Sequence, residues 1–160
     1  IFDVVLEKDL TADRLEEISR IRWETLPLSD AVKVVYGKGE RKLAVFTDAN
    51  CGYCRIFEST LSQVGNVSVY NFLYPILNSE DAARSIVGAD DPARAWTEHS
   101  LRGKRMPPKP AGCDRGMLAR NLQLGRSFGI QGTPTMIFAS GEMHSGALPA
   151  PTLERLLAQP

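Results

Sequence analysis

Apolar and polar positions alternate over Val32-Lys33-Val34-Val35-Tyr36, run almost unbroken from Lys42 to Phe46, and alternate again over Val67-Ser68-Val69-Tyr70-Asn71-Phe72-Leu73. A period near two predicts a strand in each segment, with the turn Gly37-Lys38-Gly39 between the first pair. Between the second and third, Ile56, Phe57, Leu61 and Val64 recur at helical spacing, and Gly65-Asn66 ends the pattern. A strand, a helix and a strand in that order imply a parallel pair with a crossover helix. From Ser79 to about Phe128 the pattern is mostly helical, interrupted by a loop from Gly103 to Gly112 whose prolines forbid a continuous helix. Pro92 suits the first turn of a helix carrying Ala95 and Trp96, and Leu118, Leu122, Leu124 and Phe128 mark a later one. Thr135-Met136-Ile137-Phe138 reads as a strand, Ser140-Gly141-Glu142 as a hairpin turn, and Thr152 to Ala158 as a final helix. At the other end, Ile1 to Val5 predicts a short strand, and Leu15, Ile18 and Ile21 a helix with a narrow apolar stripe. Elements so thin have little core of their own. Residues 1–24 are therefore expected to be an attachment from a neighbouring domain, and residues 25–160 the main domain.

Composition narrows the class without naming a function. Of 160 residues 43% are hydrophobic and 24% charged, as in an ordinary globular chain that buries one core. The 19 basic and 19 acidic residues cancel, so nothing suggests electrostatic attachment to nucleic acid or to an anionic membrane. No apolar stretch approaches the length needed to cross a bilayer, and no basic-then-apolar leader is present. Because the chain starts at Ile1, it is expected to be processed or part of something longer.

The candidate chemistry sits where the second strand ends, at Cys51-Gly52-Tyr53-Cys54. A helix that starts between the two cysteines holds the sulfurs close enough to join. It also makes them unequal: backbone N–H groups at its start stabilise a thiolate at Cys51, while Cys54 lies a turn further in. Cys51 is then the attacking and more open thiol, and Cys54 the resolving thiol that releases a mixed disulfide. The same spacing could be half of a zinc site, although no second ligand pair at recognisable spacing accompanies it. Three cysteines leave Cys113 without a partner if Cys51 and Cys54 pair.

Further segments give a resemblance that spans nearly the whole chain. Val45-Phe46-Thr47-Asp48 leads into the dithiol, Phe72-Leu73-Tyr74-Pro75 follows the next strand, Asp91-Pro92-Ala93-Arg94-Ala95-Trp96 lies in the helical region, and Gly132-Thr133-Pro134 precedes a strand. Together they resemble the thioredoxin-fold disulfide isomerases of the bacterial periplasm, the DsbC/DsbG family, and its DsbC branch more closely. The resemblance implies an α/β thioredoxin-like fold with a helical insertion at about 79–128, preceded by a linker helix, with the N-terminal dimerisation domain absent. It implies a cis Pro134 facing the dithiol, so that the Thr133 backbone can pair with an extended client strand, and Gly52, Tyr53, Thr133 and Pro134 as the substrate-binding set. It implies no metal or organic cofactor, a membrane reductase of the DsbD kind as partner, misoxidised secreted proteins as clients, and a homodimer in the full-length protein with this chain largely monomeric. In the resemblance Cys113 occupies one position of a second, structural disulfide and Gly88 the other, which leaves Cys113 free, half-buried and quiet, or pairing between chains.

Lesser candidates read more plainly. His99 and His144 are expected at the surface, Asp48 at a strand end or cap, and Arg102, Lys104, Arg105 and Lys109 on a solvated basic loop. Tyr53, Tyr74 and Phe57 are apolar enough to line a groove, with Phe57 pointing rather into the core. Two readings outside redox chemistry stay open: a peptide-binding chaperone without redox turnover, and a zinc protein using Cys51, Cys54, Cys113 and a histidine.

Overall fold

The computed structural model describes residues 21–160; the expected strand at Ile1 to Val5 and the helix after it lie outside the described residues. The sheet has five strands: β1 (Val32–Tyr36), β2 (Arg41–Thr47), β3 (Val67–Leu73), β4 (Thr135–Phe138) and β5 (Met143–Ser145). Their spatial order is β1-β3-β2-β4-β5. Only β2 and β3 run parallel, with Val45 opposite Asn71; the other pairs are antiparallel. Helix α1 (Gly52–Val64) makes the crossover between the parallel pair. The helices α2 (Glu80–Val87), α3 (Pro92–Arg102) and α4 (Met117–Ser127) lie between β3 and β4, and α5 (Ala150–Leu157) closes the chain. This is the expected α/β architecture with a helical insertion.

Strand β2 is central and buried on both faces, which explains its nearly unbroken apolar run. Leu43 and Val45 point to one side, where they pack with Phe57 and Leu61 of α1 and with Leu153 and Leu156 of α5. Ala44 and Phe46 point to the other, against Trp23, Phe72, Tyr74 and Ile137. There Phe46 stacks on Phe72 with ring centroids 5.0 Å apart and meets Tyr74 edge-on at 5.6 Å. The helical insertion has its own apolar layer, in which Ala83, Ile86, Ala95, Trp96 and Leu118 close over Val32 and Val34 of β1. The end of β2 is therefore packed on both faces, and the segment that follows it starts from that packed floor.

Candidate active site

The segment leaving β2 turns sharply and does so around one carboxylate. Asp48 is fully buried, and its oxygens accept the backbone N–H groups of Asn50 at 2.9 Å, Ile76 at 2.9 Å and Leu77 at 3.0 Å. That tie joins the loop after β2 to the loop after β3, the structural role its residue type suggested. Asn50 adds a second tie, donating from Nδ2 to the carbonyl of Leu77 at 3.1 Å. On the other side His99 reaches across from α3, and its Nε2 contacts the carbonyl of Ala49 at 2.7 Å.

From this pinned turn α1 begins, with Cys51 in extended backbone as its N-cap. Helix N-caps are usually Ser, Thr, Asp or Asn, whose side-chain oxygen accepts an N–H of the first turn. Here sulfur takes that part: Cys51 Sγ accepts the Cys54 N–H at 3.2 Å. The same sulfur donates its thiol hydrogen to the Thr133 carbonyl at 3.4 Å. Cys51 is 6% exposed and Cys54 2%. Both are buried, so Cys51 is not the open thiol that was expected, and the Thr133 carbonyl lies against its sulfur. Burial pushes the Cys54 thiol up from 9.0 to about 12, with its contact to Cys51 adding to the shift and hydroxyl contacts from Thr47 and Thr133 opposing it.

The Thr133–Pro134 peptide bond is cis. The structure thus brings Cys51, Cys54, Thr133 and Pro134 into one place. Gly52 lies at the open start of α1, and a Cβ there would meet no atom within 4 Å. Tyr53 is 69% exposed on the same turn. Two expectations change. Tyr74 does not line a groove: it is buried, and its hydroxyl donates to the Ile130 carbonyl at 2.8 Å. His99 is not at the surface: its ring stacks near Trp96, with centroids 6.1 Å apart, and it is buried. Phe57 points into the core as expected. Cys113 lies apart from the dithiol, half-buried, with its sulfur 3.8 Å from the Arg84 carbonyl. A Cβ placed on Gly88 would come within 2.7 Å of that sulfur, so the two positions matched to a second disulfide do adjoin. The zinc reading needed Cys51, Cys54, Cys113 and a histidine together, and among the described residues no group of three such ligands is gathered.

Of the supporting residues, Asp48 was expected at a strand end or cap, His99 was expected at the surface, and Asn50 went unassigned by sequence reasoning. A signal for His99 was present, since it shares the buried stripe of α3 with Ala95 and Trp96. Asn50 carried none, because its partners are on a loop 27 residues away.

Residues 28–159 match the thioredoxin-like domain family. Over 159 residues the chain is 43% identical to a protein of Bordetella pertussis named "Probable thiol:disulfide interchange protein DsbC", covering 98% of this chain and 56% of that one. A Pseudomonas aeruginosa protein named "Thiol:disulfide interchange protein DsbG" is 26% identical over 149 residues. Among solved structures, a disulfide interchange protein from Neisseria gonorrhoeae superposes with a TM-score of 0.74 at 32% identity, covering 82% of this chain and 96% of that one. The chain spans little more than half the length of the curated relatives it matches.

Proposed function

The chain belongs to the thioredoxin-like domain family, and on that premise we propose that it is the catalytic part of a thiol:disulfide interchange protein, a disulfide isomerase that also reduces disulfides. The observation that carries this reading is the inequality of two adjacent sulfurs. Cys51 sits at the start of α1 with the Cys54 N–H directed at it, while burial holds Cys54 as a thiol through neutral pH.

The exchange runs as follows. The Cys51 thiolate attacks one sulfur of a client disulfide; a bond forms between Cys51 and the client, the client S–S bond breaks, and the second client sulfur leaves as a thiolate. The client is now held by one covalent bond, and its freed thiolate can attack elsewhere in the client, which is isomerisation. Alternatively Cys54 loses its proton and attacks Cys51; the Cys51–Cys54 disulfide forms and the client leaves as a dithiol, two electrons richer. The proton on Cys54 makes that second route slow relative to the first, which favours reshuffling over release. Thr133 has a part in the first step. Its carbonyl accepts the Cys51 thiol hydrogen, so a client strand that draws the carbonyl into a backbone hydrogen bond also frees the sulfur. Gly52 and Tyr53 border the same opening.

Residues 1–24 are the end of an N-terminal dimerisation domain and its linker, which accords with relatives that extend well beyond the matched part. The clients are misoxidised proteins of the periplasm, an oxidising compartment in which such exchange is required. A membrane reductase of the DsbD kind returns the dithiol to its reduced state. A Cys54→Ser variant should accumulate mixed disulfides with an oxidised client whose disulfides are scrambled, visible as a reductant-sensitive band on non-reducing gels, whereas Cys51→Ser should trap none. Trapping by Cys51→Ser instead would reverse the assignment.

A further inference from the structure

A cleft of about 490 Å³ opens beside the dithiol, between the start of α1, the helices α2 and α3, and the loop that follows α3. Asn50, the residue before Cys51, lines it, as does Arg55, four positions after Cys51 on α1. Arg105 and Lys109 line it from the loop, and His99 stands in its wall while holding the Ala49 carbonyl, so the cleft and the turn before Cys51 share a support.

Its charge is one-sided. Arg55, Arg105 and Lys109 form no ion pair among the described residues, although Lys104 on the same loop is paired with Glu98 at 3.2 Å. The cleft's one carboxylate, Asp81, is engaged by Arg84 at 2.9 Å. Three cations thus face a common concavity whose single carboxylate is already paired with Arg84, in a chain whose formal charge is balanced overall. A concave surface of one sign concentrates its field and favours a ligand of the other. Met106, Ile86 and Ala82 add apolar wall, enough to hold the stem of a side chain whose end is charged.

We propose that this cleft is a subsite for acidic side chains of the client polypeptide, so that disulfides flanked by Asp or Glu are attacked in preference to others. The inference rests on the reading of Cys51 and Cys54 as an exchanging dithiol. Its geometric ground is continuity: a chain joined to Cys51 can lay its neighbouring residues along Asn50 and Arg55 into the cleft. The loop read from sequence as merely solvated then acts as a selector.

The test uses three synthetic disulfide-linked peptides that differ only in Asp/Glu, Asn/Gln or Lys flanks, with glutathione disulfide as a small tetracarboxylate comparator. For the wild type, kcat/KM on the acidic peptide should exceed that on the neutral one by about five- to tenfold at low salt, and the gap should close as salt is raised. In the Arg105→Ala/Lys109→Ala double variant the gap should fall below about twofold with the neutral peptide's rate unchanged, and in Arg105→Glu/Lys109→Glu it should invert towards the Lys peptide. Equal rates in the wild type, or a preference that survives both variants, overturns the proposal. So does a double variant that slows only glutathione disulfide, since the cleft would then serve a small disulfide. Failure of the wild type to turn over the neutral peptide would count against the dithiol reading itself, whereas loss of flank preference alone counts only against the cleft.

Discussion

Glu58 lies on α1 beneath the dithiol with 2% exposure, and its partner is the Tyr36 hydroxyl, which donates to Oε1. Burial raises its carboxyl above the ordinary carboxylate range, and the Tyr36 hydroxyl and the nearby Trp96 indole offset part of the shift. An acid whose folded-state affinity for its proton is raised stabilises the fold below its unfolded pKa, near 4.3, and that contribution is lost as pH rises through the folded value. Replacing Glu58 by Gln keeps an acceptor for Tyr36 and removes the titration. The stability of Glu58→Gln relative to wild type should therefore rise between about pH 4 and pH 8, read as urea midpoints at both. A difference independent of pH would mean that Glu58 ionises in the fold as freely as in water. At this scale the sequence was legible for the chemistry and less so for its supports. Cys51 and Cys54 announce themselves by spacing, but Tyr74 finds its partner at Ile130, a tertiary contact that no local pattern encodes.

Helix α1 shows why the elements were easier to read than their surroundings. Its start is fixed by Cys51 as cap, and its end by Gly65, which adopts a positive φ of 68° beyond Val64. Both signals are local. Helix α5 was expected from Thr152, yet it begins at Ala150, because a proline in the first turn loses no hydrogen bond and Pro151 sits there. Strand β5, with three residues, is too short to display a period and is defined by its pairing with β4. The insertion offers a test of its own packing. Gly88 ends α2 and Cys113 lies in the loop before α4, 25 residues on, with the sulfur 2.7 Å from where a Cβ at position 88 would be. In a Cys51→Ser/Cys54→Ser background, Gly88→Cys should form a disulfide with Cys113 on mild oxidation and stabilise the oxidised protein by about 3 kcal/mol over its reduced form. Two thiols that stay free to a colorimetric reagent would show that the insertion is not held as described.

At the scale of the whole molecule, two packed clusters on the faces of β2 and a third over β1 have one evident consequence, which is to hold a pinned turn and a helix start against the Thr133–Pro134 segment. The overall architecture followed from the strand, helix, strand order and from the breaks at Gly103 to Gly112. The approach of residue 133 to residue 51 did not, since 82 positions separate them and only the resemblance joined them. The described part carries the dithiol, and the curated relatives continue beyond the part they share with this chain. The account's central claim is the inequality of the two sulfurs, and alkylation by iodoacetamide with peptide mapping tests it most directly. With the protein reduced at pH 7, Cys51 should be labelled at least tenfold faster than Cys54, whose thiol is pushed up to about 12. Equal rates at the two positions, or Cys54 labelled first, would contradict it.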